Sequence, residues 1–444
     1  MTPRFKVNLC ELWTSYRHVG AMGLPREIVD NILSFLPEDL KACSLTCRAL
    51  FSAARELIHR KVRLATWKVY RSPGLVDRIA AKVLRGQGVH EEHMRYLSIA
   101  GKRGLLGYAR ELIIGIGPSF TPEALEVYLP HFLSFSRVRT LRIHRFDLKR
   151  FLPIFERYFA QFMPTLRSLH LPDVVGGIHE VQEFMCKFPH LDDLSLTLRS
   201  CNWADVPPRL STEHPPPLRG KLVLRGWGTI PTRFLLEIPG GLRFRSIDAG
   251  GMDRVELDEI LIACSSTLET FSFRPQSRKF TQHEHPPDES HYKLLNHSLR
   301  YIVLDTADLS QNLALTRFEI RVDPDDLTLV APILHETLLT ISSPTFSEFT
   351  LKLEGLPTDH RFLYELSINA VWGDDWWVID RDLNDMVRKT GREIKFVVQV
   401  GINGGVWGFE LEEFVGDMFP LMNARGLVRV PLLSAVREGE RFIL

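Results

Sequence analysis

Apolar positions along this chain follow two different periods. Between Leu24 and Arg63 the period is helical: Ile28, Ile32 and Leu36 recur every four residues, with Val29 and Leu33 beside them, which makes one broad apolar stripe. Pro25 suits a first-turn position, where its missing N–H costs nothing, and Pro37 ends the helix because the residue before a proline is pushed out of helical geometry. Asp39 can cap a second helical stretch carrying Leu40, Cys43, Cys47, Leu50, Phe51, Ala54, Leu57 and Ile58 at helical spacing. A unit of about forty residues buries too little surface to offset chain entropy. Part of these stripes must therefore be covered by the rest of the chain or by a partner, with a helix-in-groove contact as the obvious mode.

From about residue 109 the pattern changes to an apolar residue, two others, an apolar residue, one other, and an apolar residue. Copies are Val138, Leu141, Ile143; Leu166, Leu169, Leu171; Leu191, Leu194, Leu196; Leu268, Phe271, Phe273; Leu299, Ile302, Leu304; Leu315, Phe318, Ile320; Phe346, Phe349, Leu351; and Leu363, Leu366, Ile368, with degenerate copies near Leu112, Leu222 and Ile247. On the order of twenty such triplets arise by chance in this length, so the stronger signal is what separates them. Leu125, Leu129 and Phe132 make a helical stripe before the first copy, and Leu152, Phe155, Phe159 and Phe162 make one before the second. Val181, Phe184, Met185 and Phe188, and later Leu257, Ile260, Leu261 and Cys264, do the same. Strand and helix alternate in steps near 25 to 31 residues, with two later steps of 16 and 17. This resembles leucine-rich repeats, in which stacked neighbours supply the core that one unit lacks.

The predicted fold class is α/β: a short N-terminal helical unit followed by an irregular leucine-rich-repeat-like strand–helix solenoid. The expected boundaries are a tail at 1–22, the helical unit at 23–63, a helical linker at 64–108 and the array at 109–444. Two stretches break the array: proline-rich 205–219 and polar, histidine-bearing 275–291, both read as surface loops. Near the C-terminus, Trp376, Trp377, Ile379, Leu383 and Val387 predict a helix, then a strand at 394–400, a second helix at 411–422 and a final strand at 427–430.

In a strand, residues between the inward apolar ones point to the opposite face. Arg142, His144, His170, Asp193, Arg274, Tyr301, Arg317 and Arg321 lie in that outward row, together with such residues as Ser168, Ser195, Ser272, Asp305 and Glu319. If the strands line one concave sheet, this row is the expected face for a target protein.

The N-terminal residues themselves resemble a family. Leu24-Pro25-Arg26-Glu27-Ile28, then Ile32-Leu33 and Leu36, then the run from Asp39 through Cys43 to Cys47-Arg48 resemble the F-box motif, as found in fungal F-box proteins, over about a tenth of the chain. Where many members carry tryptophan after the Cys-Arg pair, this chain has Ala49, Leu50 and Phe51, and Phe51 can fill that volume. The resemblance implies binding to a Skp-type adaptor, which joins cullin and RING subunits in an SCF ubiquitin ligase. By position it assigns Leu24, Pro25, Ile28, Ile32, Leu36 and Leu40 to the adaptor-facing surface. The competing reading is a helical cap that closes the array and binds nothing.

Composition adds exclusions. Apolar residues are 45% and charged residues 25%, with a formal net charge of +1, so no whole-chain field favours nucleic acid or an anionic membrane. The six cysteines include no CxxC pair, which suits a reducing compartment, and the first residues contain no uninterrupted apolar run, so cytoplasm or nucleus is expected. His90-Glu91-Glu92-His93 has histidines three apart rather than the four a zincin helix needs, and Gly86 and Gly88 disfavour a helix start there. His283, Glu284, His285 and His291 fall in a polar loop, where gathering them on a metal is entropically costly. The run from Gly401 to Gly408 lacks the Gly-Lys-Ser/Thr of a phosphate loop, and Asn403-Gly404 suits a hairpin turn. No cofactor, metal or active site is expected. The expectation is a non-catalytic adaptor of a ubiquitin ligase, with an interaction scaffold outside ubiquitylation as the alternative and a divergent metal-dependent hydrolase as a third reading.

Overall fold

The computed structural model describes residues 56–65, 87–115, 129–144, 148, 157–175, 178–200, 216–226, 233–238, 240–250, 254–275, 277–279, 300–302, 306–322, 327–356, 374–402, 415–416 and 419–429. Twelve strands form one sheet, and neighbours in the sheet follow chain order: β1 (Lys61–Ala65), β2 (Glu111–Gly115), β3 (Thr140–His144), β4 (Ser168–Val175), β5 (Asp193–Ser200), β6 (Lys221–Gly226), β7 (Ser246–Gly250), β8 (Thr270–Arg274), β11 (Arg317–Val322), β12 (Glu348–Leu356), β13 (Lys395–Ile402) and β14 (Val428–Arg429). All its pairings are parallel. Parallel neighbours need a crossover between them. Crossovers carry helices α1 (Gln87–Lys102), α2 (Leu129–Phe132), α3 (Ile178–Cys186), α4 (Arg233–Leu236), α5 (Arg254–Ala263), α6 (Leu327–Thr340), α7 (Asp374–Thr390) and α8 (Pro420–Ala424). The chain is thus α/β as expected.

The core follows from register. Leu112, Leu141, Leu169, Leu194, Leu222, Ile247, Phe271, Phe318, Phe349 and Phe396 are partners from strand to strand, and all are fully buried. A second buried file, two residues further along, includes Leu171, Leu196, Leu224, Ala249, Phe273, Ile320, Leu351 and Val398. Val181, Phe184 and Met185 of α3, Leu257, Ile260 and Leu261 of α5, and Trp376, Ile379 and Leu383 of α7 belong to the same core, so the helices cover this face of the sheet. The first file changes from aliphatic residues to phenylalanine at β8, and the rings continue it as a row: Phe271 to Phe318 at 5.7 Å, Phe318 to Phe349 at 5.7 Å and Phe349 to Phe396 at 5.2 Å.

A carbonyl ladder starts each step. The carbonyl of Arg60 accepts from the N–H groups of Arg110 and Glu111, that of Arg110 from Arg139 and Thr140, that of Arg139 from Arg167 and Ser168, and that of Arg167 from Asp192 and Asp193. Gly220, Arg245, Glu269 and Thr316 continue the pattern.

Equivalent residues are 29 apart from Glu111 to Thr140, 28 from there to Ser168, 25 to Asp193, 24 from Ser246 to Thr270 and 31 from Arg317 to Glu348. The irregular steps are long, not short: Lys61 to Glu111 is 50, and Thr270 to Arg317 and Glu348 to Lys395 are 47 each. The expected strand around Leu299–Leu304 does not enter this sheet. Arg300–Ile302 is β10, which pairs antiparallel with β9 (Ser277–Lys279) in a separate two-stranded sheet, while β8 pairs directly with β11. A strand thus lies inside 275–291, which was expected to be loop throughout. The copy at Leu363–Ile368 lies outside the described residues, and β12 pairs directly with β13. The sheet begins at Lys61, upstream of residue 109, and α1 runs through Gly88 and His90–His93 despite the glycines.

Phe318→Ala removes the ring with aromatic neighbours on both sides and should cost about 3–5 kcal/mol, measured by urea denaturation. A loss below about 1 kcal/mol would show that the file relaxes around the gap and does not set the packing.

Candidate functional site

The face opposite the helices carries the outward residues in three rows. Register places Ile113, Arg142, His170, Ser195, Val223, Asp248, Ser272, Glu319, Thr350 and Val397 along the middle. Seven of the eight expected target-binding residues fall on this sheet. Arg142 and His170 are direct partners, His144 pairs with Gly115, Asp193 with Ser168 and Arg274 with Gly250, while Arg317 and Arg321 share β11. Tyr301 is not among them: it lies on β10 and pairs with Arg278. Its triplet has the right apolar spacing, but β10 pairs with β9 and not with β8 or β11.

Most of these side chains are already engaged within the chain. Arg142 Nε lies 3.2 Å from Glu111 Oε1, which also faces Lys61 Nζ at 3.4 Å. His170 Nε2 and Ser168 Oγ are 3.0 Å apart. Burial, then the nearby charges of Arg142, Lys221 and His144, push the imidazole of His170 down to about 4, so it is neutral at pH 7. Asp193 Oδ1 accepts the N–H of Lys221 at 2.7 Å, and a Cβ on the neighbouring Gly220 would sit 2.0 Å from that oxygen. Only glycine lets the carboxylate close on the backbone there, so Asp193 holds β6 in place.

The densest network centres on Arg321. Its Nε donates to Glu319 Oε1 at 2.7 Å, and its other guanidinium nitrogen reaches Asp248 Oδ2 at 3.2 Å. Asp248 also faces Lys221 and Arg225 at 3.7 and 3.6 Å. Glu319 accepts from Ser272 Oγ at 3.2 Å and from Arg317, whose Nε lies 3.0 Å from Glu348. Burial opposes the charge on Glu319, but the Arg321 hydrogen bond and charge, with Lys352 and Arg317, outweigh it and hold its carboxyl below the usual 4.5. Glu111, Asp248, Glu319 and Glu348 organise this face, and of these the sequence reading named only Glu319 in the outward row. Their outward position was readable; their cross-strand cations were not, because that needs register.

Among the described residues, no group of three or more His, Cys, Asp or Glu side chains could hold a metal ion. His283, His285 and His291 lie outside the described residues, as do the adaptor-facing candidates Leu24, Pro25, Ile28, Ile32, Leu36 and Leu40. Among the described residues, no helix is long and apolar enough to cross a membrane.

Residues 22–65 match a family model described as F-box-like, so the chain carries an F-box-like domain at its N-terminal end. No curated protein matches the chain. The matched segment runs into the sheet: it includes helical residues 56–59, Arg60 and the whole of β1. That junction is tied down by Glu56, 3.8 Å from Arg110, and by a 3.0 Å contact between His59 Nδ1 and the Tyr96 hydroxyl on α1.

Arg321→Met leaves Asp248 and Glu319 without their shared cation and should cost about 3 kcal/mol or more at pH 7. Glu319 has a folded-state pKa below its unfolded value, so its stabilisation is full above 4.5 and is lost as pH falls through the folded value. The deficit of the variant relative to the parent should therefore shrink on acidification to about pH 3. Denaturation curves at both pH values check this, and an unchanged deficit would rule out the ionic account.

Proposed function

We propose that this chain is the substrate-recognition subunit of an SCF-type cullin–RING ubiquitin ligase. The observation that carries the reading is the F-box-like match at residues 22–65. In this reading Leu24, Pro25, Ile28, Ile32, Leu36 and Leu40 dock a Skp-type adaptor, and through it the cullin and RING subunits. The polar face of the sheet binds the target protein. The chain itself is not catalytic: it supplies proximity, holding target lysines near a ubiquitin-loaded enzyme. It works in the cytoplasm or nucleus.

The body is best read as a leucine-rich-repeat-like solenoid. Sequential parallel strands, steps of 24 to 31 residues over most of the sheet and an in-register apolar file support that reading. The preorganised charge network on the opposite face supports a protein-binding role, because fixed alternating charges select partners by complementarity. The second reading is an F-box scaffold that binds the adaptor but acts outside ubiquitylation.

A Leu24→Ala, Ile28→Asp double variant should lose capture of a Skp-type adaptor while keeping the circular dichroism spectrum and melting temperature of the parent. Retained capture would overturn the docking assignment. Reconstitution with adaptor, cullin and RING subunits separates the two readings, since a ligase subunit ubiquitylates proteins captured by the sheet and a scaffold does not.

A further inference from the structure

The carbonyl ladder places Arg60, Arg110, Arg139 and Arg167 at equivalent positions, each one residue before the start of β1, β2, β3 and β4. Equivalent residues of in-register parallel strands send their side chains to the same side, so four guanidiniums line one rim at the strand spacing of about 4.8 Å, over about 14 Å. Like charges this close repel one another, and among the described residues only two of them face a carboxylate: Arg110 lies 3.8 Å from Glu56, and Arg167 lies 3.4 Å from Asp192. Arg60 and Arg139 are exposed, and among the described residues no side chain pairs with either. The rim is therefore a row of cations in excess over carboxylates, at one end of a chain with a net charge of only +1.

A packing role does not account for this row. Long side chains at the rim can lay their stems over the core and leave the charge in water, but lysine would do that equally well. Arginine at all four positions supplies planar forks that pair bidentately with carboxylates.

We infer that this rim receives an acidic, Asp/Glu-bearing segment of the protein that docks on the F-box-like domain. Charge complementarity points to the chemistry. Continuity points to the occupant, because Arg60 belongs both to the rim and to the matched segment at 22–65. A stretch of about 14 Å suits some four or five extended residues, with carboxylates at alternate positions. The inference rests on the adaptor-docking role proposed above and adds to it a second, electrostatic contact outside the apolar helices.

The test uses the full-length chain and a purified Skp-type adaptor, with association kinetics recorded at about 50 mM and about 500 mM salt. An Arg60→Glu, Arg139→Glu double variant should slow association about ten-fold at low salt, with the gap closing at high salt, while an Arg60→Lys, Arg139→Lys variant stays near the parent rate. Melting temperatures of both variants should match the parent, because neither side chain supports the core. If the parent binds adaptor and the reversal variant binds equally fast at low salt, the inference is overturned alone. If the parent binds no adaptor, the functional reading fails and takes this one with it. Binding of a short duplex DNA as tightly as the adaptor, lost on charge reversal, would assign the rim to phosphate and overturn the acidic-protein occupant.

Discussion

Parallel pairing in register is the constraint on which the rest of this molecule depends. It stacks each residue on its equivalent in the next strand, so one choice of side chain is repeated across the sheet. Where the equivalents are apolar, repetition is favourable: leucine lies beside leucine from β2 to β6, and ring beside ring from β8 to β13. Where they are cationic, the same repetition is costly. Arg225 and Arg274 flank Gly250, Arg321 and Lys352 are partners, and Arg60, Arg110, Arg139 and Arg167 each precede the first residue of their strand. Carboxylates interleaved in the sheet, Asp248 and Glu319, relieve Arg225 and Arg321. Core and charged face are thus two results of one geometry.

The apolar period exposed most of this in advance. Leu141 and Ile143, Leu194 and Leu196, and Phe318 and Ile320 read as inward strand residues, and the stripes of α3, α5 and α7 read as helical; all are buried as expected except Trp377, which is 52% exposed. Two elements were hidden for physical reasons. Helix α6 is apolar on most sides, with Val330, Ala331, Ile333, Leu334 and Leu338 all buried, and it contains Pro332, so neither amphipathic periodicity nor a proline rule marks it. Strand β1 is five residues lying directly after a helical pattern, with one residue between, too short to register as a change of period. The triplet around Tyr301 shows the opposite error. Apolar spacing alone cannot tell which sheet a strand joins, and β9 claims β10 through antiparallel bonds that no local pattern announces.

The candidate site was legible to the same depth. Alternation fixes which face a side chain leaves from, and it placed Arg142, His170, Asp193 and Arg321 correctly on the polar side. It says nothing about the neighbour on the next strand, which lies some 24 to 31 residues away in most of the chain. That neighbour decides what each residue does. Asp193 serves the backbone of Lys221 across the strand boundary, and Arg321 is held between Glu319 on its own strand and Asp248 two strands away. The working unit of this face is the pattern of fixed charges, because few of its members stand apart from an internal partner.

The junction at Arg60 joins this geometry to the N-terminal domain. A hinge needs residues whose backbone dihedrals can change without breaking contacts. Here the single residue between helical residues 56–59 and β1 has its carbonyl bound by two N–H groups of the next strand. Glu56 and His59, just before it, contact Arg110 and Tyr96 on elements of the sheet and its first crossover helix. Bending there would break the first step of the ladder, so the direction of these last matched residues is set by the sheet. Under the proximity role proposed above, such a fixed exit is an advantage, since the effective concentration of one site near another falls as the connection between them loosens. The register that builds the core therefore also fixes residues 56–60 relative to the charged face.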